Sequence, residues 1–202
     1  MKSLLTELSD PLKLGKFLWP DVNFYDKQRE MIRSVEDNVE THVPAANQVG
    51  KDFVAAFIAL TWFLRHQPCR IITTSVKDDH LRVLWGEIGR FIQTSAYPLD
   101  VQYGGPLLIN HREIRKMVGG KRDEISYLVG QVSEKGEGMA GHHSPYSLVI
   151  GDECSGLEDE VFIQSRTWAK RCLWFGNCNP TENEFRKAVD GGDILNEGRK
   201  VA

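Results

Sequence analysis

Leucines recur on one side of a helical pattern through residues 4–18 until Trp19-Pro20 interrupts them, and residues 25–39 resume the pattern with Gln28, Met31, Ile32 and Val35 on related faces. Two helices are therefore predicted ahead of the first strand, a short one over residues 41–46. A glycine-lysine turn then opens a strongly apolar helix over 53–65. The β-branched run Arg70-Ile71-Ile72-Thr73-Thr74-Ser75 reads as a buried strand, and 78–94 as an amphipathic helix with Leu81, Leu84, Ile88 and Ile92 on one side.

Residues 97–120 hold Pro98, Gly104-Gly105-Pro106 and short apolar runs, which predict hairpin or loop insertions before a strand over 125–129. A glycine-rich loop over 130–145, with Gly136, Gly138 and Gly141 around Glu137, Met139, His142 and His143, feeds the strand Tyr146-Ser147-Leu148-Val149-Ile150-Gly151-Asp152-Glu153. A helix over 158–168 and a last strand over 172–175 follow, ending in Gly176-Asn177-Cys178-Asn179-Pro180. This alternation predicts an α/β fold with a mostly parallel central sheet and helices on both faces. The expected domain covers residues 1–183, its first 40 residues helical, with 184–202 as a polar tail or the start of a linker.

Composition narrows the class. The 202 residues, 41% hydrophobic and 26% charged, suit one globular domain, and a net charge of −3 excludes a protein coated in basic residues for autonomous nucleic-acid binding. Any such contact must be local. Cys69, Cys154, Cys172 and Cys178 form no CxxC pair and are expected to be reduced. No signal peptide and no membrane-spanning segment are expected, since the longest apolar stretch, over 53–64, is too short and interrupted.

The candidate chemistry lies in two segments. In Ala45-Ala46-Asn47-Gln48-Val49-Gly50-Lys51-Asp52, a turn between strand and helix would aim backbone N–H groups at phosphate oxygens while Lys51 neutralises the terminal phosphates. The phosphate loop is degenerate: Ala45 stands where the first glycine is usual, and Asp52 replaces the Ser or Thr that ordinarily binds magnesium. A carboxylate there repels a triphosphate unless a cation lies between them, and with Mg2+ it becomes a hard oxygen ligand. In isolation, Gly50-Lys51-Asp52 is equally a plain helix start with an acid in the first turn. The second segment ends in Asp152 and Glu153, at the strand end where open α/β sheets bind ligands. There Asp152 would hold Mg2+ and Glu153 would polarise the attacking water. The alternative is two solvated acids capping a strand.

Asn177 and Asn179 follow the last strand, where side-chain amides could sense the terminal phosphate, although Asn-Pro is also ordinary turn chemistry. Tyr25 and Gln28 could stack on a base and bond an adenine edge, or could simply pack a helix. His142 and His143 show no metal-ligand spacing.

With these segments in place the chain resembles, over nearly all its length, the ATPase domain of phage large terminase subunits, the motors that package DNA into procapsids. Phe24-Tyr25-Asp26-Lys27-Gln28 resembles the adenine-recognising segment of that family, and Ala46-Asn47-Gln48-Val49-Gly50-Lys51 its atypical phosphate loop. Thr74-Ser75 resembles a helicase-like coupling segment, Gly136-Glu137-Gly138-Met139-Ala140-Gly141-His142 the loop ahead of the acid strand, and Gly176-Asn177-Cys178-Asn179-Pro180 the coupling motif. The resemblance implies a RecA-like P-loop NTPase of the ASCE type, with ATP and Mg2+ as cofactors. It implies hydrolysis coupled to translocation of double-stranded DNA, in a homo-oligomeric ring docked on a portal protein and served by a small terminase subunit, in the cytoplasm of an infected bacterial host. Many relatives carry an arginine within the phosphate loop, where this chain has Asn47 and Gln48, so that charge would come from elsewhere or from a neighbouring subunit. The nuclease domain of the family has no expected counterpart after Asn183. Two other readings remain open: a generic nucleic-acid-stimulated ATPase, and a regulatory or assembly module that holds ATP and barely hydrolyses it, which Asp52 favours.

Overall fold

The computed structural model describes residues 8–45, 50–133, 138–177 and 182–191. Helices α1 (Pro11–Leu18) and α2 (Asp26–Asp37) are separated by the expected break at Trp19-Pro20. Asp10 starts α1 by accepting the Leu12 and Lys13 backbone N–H groups. Then follow β1 (Glu40–Pro44), α3 (Lys51–Arg65), β2 (Cys69–Ser75) and α4 (Asp78–Thr94), in the predicted order.

The chain continues through β3 (Leu107–Asn110), β4 (Glu113–Val118), β5 (Lys121–Val132), β6 (Tyr146–Asp152), α5 (Asp159–Arg166), β7 (Arg171–Gly176) and α6 (Glu184–Val189). The strands form one sheet in the order β1-β7-β6-β2-β5-β4-β3. The five strands from β1 to β5 in that order are parallel, whereas β4 pairs antiparallel with both β5 and β3. The expected insertion is therefore a hairpin that widens the sheet, and β5, predicted over 125–129, begins at Lys121 because its first residues pair with β4.

Alternation along the central strands divides the core. Ile71, Leu148, Ile150, Leu173 and Phe175 share one core with the buried faces of α1, α2, α3 and α4. Ile72, Val149, Cys172 and Trp174 face Met139, Leu157, Val161, Phe162, Trp168 and Phe185. Helix α3 is apolar all round because it is enclosed, with Ala55, Ala56, Phe57, Ala59, Leu60 and Phe63 fully buried. Cys69, Cys154 and Cys172 are buried free thiols. No helix among the described residues is long and apolar enough to cross a membrane.

One expectation is corrected. Residues 184–189, taken from the sequence as the start of a polar tail, form α6, with Asn183 capping it through the Arg186 N–H and Phe185 buried in the second core layer. A helix of one and a half turns with a single apolar anchor leaves almost no periodic signal.

Candidate functional site

Parallel pairing aligns the C-terminal ends of the central strands. Ser75 lies opposite both Asp152 and Val132, and Pro44 lies opposite Gly176, so the acid-tipped end of β6 opens at the sheet edge beside the start of α3. Gly50 is the residue before α3 and has φ +76°, a left-handed conformation that glycine adopts without strain. Its turn sets Lys51 as the first helical residue, buried against the Phe175 ring, with Nζ 5.5 Å from the ring centre.

Lys51 Nζ lies 3.1 Å from Asp152 Oδ1 and donates a hydrogen bond to Glu153 Oε1. The lysine and Asp152 side chains are 7% and 4% exposed, so little water screens the contact. Burial works to discharge Lys51, but the two acids outweigh it and hold its pKa above the ordinary lysine value. Burial raises the pKa of Asp152, and Lys51 only partly offsets this.

Asp52, in the first turn of α3, is pushed up to about 6 by burial first and then by the charge of Asp152. Its Oδ1 is buried and has no hydrogen-bond partner among the described residues. Such an orphaned oxygen, beside a second carboxylate, is a donor set suited to a hard divalent cation. No group of three acidic, histidine or cysteine residues among those described could hold a metal ion unaided. Any cation here would draw further oxygens from a ligand.

Glu153 stands at φ 51° and ψ 46°, a left-handed conformation that costs a non-glycine residue about 1–2 kcal/mol and persists where its surroundings enforce it. Its N–H donates to Asp152 Oδ1 at 2.8 Å, and its carbonyl accepts the Gly156 N–H at 3.0 Å. At Gly176, a Cβ would lie 2.8 Å from the Cys154 nitrogen, so the end of β7 presses directly on this turn. Thr74, one residue from the end of β2, is buried with no partner for its hydroxyl among the described residues.

Tyr25, Gln28, Gly50 and Lys51 share a cleft of about 780 Å³ bounded by α2, β1 and the start of α3. Gln28 Oε1 accepts the Tyr25 N–H at 3.3 Å, and its Nε2 would lie 3.0 Å from a Cβ on Gly50. The Tyr25 ring is half exposed. The structure thus brings Tyr25, Gln28, Gly50, Lys51, Asp52, Asp152 and Glu153 to one region, with Asn177 just after β7. Ala46, Asn47, Gln48, Val49 and Asn179 lie outside the described residues.

The two histidines of the glycine-rich loop part company. His142 is structural: its Nδ1 is 2.6 Å from the Tyr127 hydroxyl, its Nε2 is 3.0 Å from the Gly138 carbonyl oxygen, and its ring packs on Trp168. His143 is exposed. A second set of charges escaped sequence reasoning. Glu40, fully buried on β1, accepts Arg166 Nε at 2.8 Å and lies 3.3 Å from His42 Nε2, while Arg166 also donates to Glu184 at 2.7 Å. An acid within a strand pattern gives no sign of its partner, and only the fold shows that Arg166 of α5 neutralises it while also serving Glu184 of α6.

No protein-family model matches the chain, and no curated protein matches it. Among solved structures the fold is similar to the large terminase ATPase domain of Thermus phage P74-26, with a TM-score of 0.65 and 14% identity over 87% of this chain and 72% of that one. It is also similar to the large terminase of a thermophilic bacteriophage, with a TM-score of 0.58 and 15% identity over 89% of this chain and 45% of that one. The same thermophilic phage protein has also been solved in complex with ADP. The HK97 bacteriophage large terminase gives a TM-score of 0.54 and 14% identity over 87% of this chain and 38% of that one. The shared property at these identities is the fold, the α/β architecture with a mostly parallel central sheet expected from the sequence.

Proposed function

We propose that the chain is a Mg2+-dependent ATPase of the large terminase type, converting ATP and water to ADP and phosphate to drive double-stranded DNA into a procapsid. The observation that carries this reading is the contact of Lys51 with both Asp152 and Glu153 at the C-terminal sheet edge. The sequence motifs and the terminase-like fold support it, as does the ADP-bound relative.

In this reading the Gly50 N–H and the preceding segment, residues 46–49, cradle the phosphates, and the Lys51 ammonium turns from Glu153 to the terminal phosphate oxygens. Asp52 and Asp152 would hold Mg2+, which when bound supplies positive charge against the phosphates. Released from Lys51, the Glu153 carboxylate orients the attacking water and accepts its proton. Tyr25 stacks on the adenine, Gln28 bonds its edge, and Asn177 and Asn179 couple the site to movement. A ring of copies on a portal protein, a small terminase subunit and the cytoplasm of an infected bacterial host complete the proposal.

The test is phosphate release from ATP by the purified chain with Mg2+, with and without duplex DNA, beside Lys51→Ala and Glu153→Gln. Turnover in the wild type that both substitutions abolish is the expected result. ATP binding without wild-type turnover would sink the hydrolytic assignment for this chain.

The unpartnered Asp52 oxygen favours a second reading, in which an extra buried carboxylate beside a triphosphate attenuates the site and leaves a nucleotide-holding regulatory module. Asp52→Thr separates the two. Reduced turnover makes Asp52 a working metal ligand, and a large gain makes it a brake.

A further inference from the structure

We infer that Asn183 is a positioning residue for Glu153, clamping the turn that carries this carboxylate and tying it to α6. The inference rests on the hydrolytic reading of Glu153 and extends it to a residue outside the motifs.

The Asn183 side chain is buried at the foot of α6 and uses both of its N–H donors and its oxygen. Its Nδ2 donates to the carbonyl oxygens of Cys154 at 2.7 Å and Leu157 at 2.9 Å, while its Oδ1 accepts the Arg186 N–H at 3.1 Å. One carbonyl belongs to the first residue of the 3-10 turn Cys154–Gly156, which begins immediately after Glu153, and the other to Leu157, the residue that closes it. One amide group therefore holds both ends of the segment that keeps Glu153 in its left-handed conformation.

The opposite side of the turn is fixed by backbone. Gly176, at the end of β7, comes so close to Cys154 and Glu153 that a methyl group would not fit between them. The turn lies between a strand end that cannot yield and an amide that donates twice.

Asn183 also opens a helix that is linked to β1. The next residue, Glu184, receives Arg166, which also bonds Glu40 on β1, and the Glu184 N–H donates to Asp159 Oδ1 at 2.7 Å. Beyond Pro44, β1 leads towards Gly50 and Lys51, so α6 joins the acid turn to the strand that feeds the phosphate loop. A helix that only covered the core would need Phe185, but not an amide aimed at two carbonyls of the acid turn.

Asn183→Ser tests the clamp without removing the helix cap, since serine caps well but is too short to bond both carbonyls. Asn183→Ala is the harsher variant, and Glu184→Gln is the control, weakening the same helix without touching the turn. Three quantities are measured on each full chain: amide hydrogen exchange at Gly156 and Leu157, the dissociation constant for ATP, and kcat for phosphate release. Asn183→Ser should speed exchange at those two amides and lower kcat by about tenfold or more, because misplacing a catalytic group by about 1 Å has effects of that order. ATP affinity should stay within about threefold of wild type, and Glu184→Gln should keep the wild-type kcat.

Unchanged exchange in both Asn183 variants would overturn the clamp. Faster exchange with wild-type kcat, or a fall in kcat matched by Glu184→Gln, would overturn the positioning role while leaving the ATPase intact. A wild-type chain that binds ATP without turnover removes the hydrolytic reading and this inference with it, whatever the exchange shows.

Discussion

Lys51 and Asp152 meet at 3.1 Å in a setting where both side chains are more than nine-tenths buried, and the same ammonium also bonds Glu153. A cation between buried carboxylates stabilises them where water cannot. Lys51→Met leaves Asp152, Glu153 and Asp52 facing one another with no positive charge. The expected loss is about 3–5 kcal/mol at pH 8, the range for removing one member of a buried ion pair. It should shrink towards pH 5, because burial already raises the pKa of Asp52 and Asp152 and favours their protonation, and chemical denaturation at the two pH values checks this. Equal losses at both would show that the lysine stem, rather than its charge, matters.

Asp52 gives a pH dependence of its own. Its folded pKa of about 6 lies above the ordinary 3.8, so between these values the folded chain binds more protons than the unfolded one. Stability should therefore fall as pH rises through this window and level off above it. Asp52→Asn abolishes that slope and melts higher than the wild type at pH 7.5 in the absence of nucleotide and metal. Melting curves from pH 4 to 8 decide the matter, and a variant that keeps the wild-type slope would place the charge effect elsewhere.

Glu40 has the opposite sign. Burial works to raise its pKa, but hydrogen bonds from His42 and Arg166 outweigh this and hold it at about 2, below the ordinary 4.5. Its contribution is complete above pH 4.5 and is lost as pH falls towards 2. Arg166→Ala strands a fully buried carboxylate, at an expected cost of about 3–5 kcal/mol at pH 7. Glu40→Gln with Arg166→Leu, which removes both charges, should recover much of that loss in a double-mutant cycle read by denaturant unfolding. No coupling in the cycle would remove the pair from the account of how α5 holds β1.

The strands and helices around the site were legible because each carries its own period. The run over 70–75 could only be a buried strand, and the 78–94 pattern matches α4 end to end. What sequence could not supply was partnership across the chain. Nothing local marks Asn183 as a ligand of the Cys154 and Leu157 carbonyls, Arg166 as the partner of Glu40, or Tyr127 as the partner of His142. Asn183 caps α6 in the structure, but a helix this short leaves no periodic pattern by which it could be predicted. The length of β5 was hidden for a related reason, since Lys121, Arg122, Asp123 and Glu124 are polar residues that pairing with β4 draws into a strand.

Gly176 completes the argument about Glu153, because what it touches is backbone. A methyl group there would lie 2.8 Å from the Cys154 nitrogen and 3.2 Å from the Glu153 carbonyl carbon, atoms that cannot swing aside as a side chain would. Gly176→Ala must therefore push β7 and the acid turn apart, with an expected cost of about 1–3 kcal/mol, the range for an overpacked core. Gly151→Ala is the useful comparison, since its methyl would meet side-chain atoms that can shift, the Trp174 ring at 2.4 Å and Cys154 Sγ at 2.9 Å, rather than backbone. If the turn must be held in place for chemistry, Gly176→Ala loses more turnover than Gly151→Ala at matched loss of stability. Phosphate release and denaturant unfolding on the two variants make the comparison. Turnover that follows stability alone in both would reduce the close approach at Gly176 to packing.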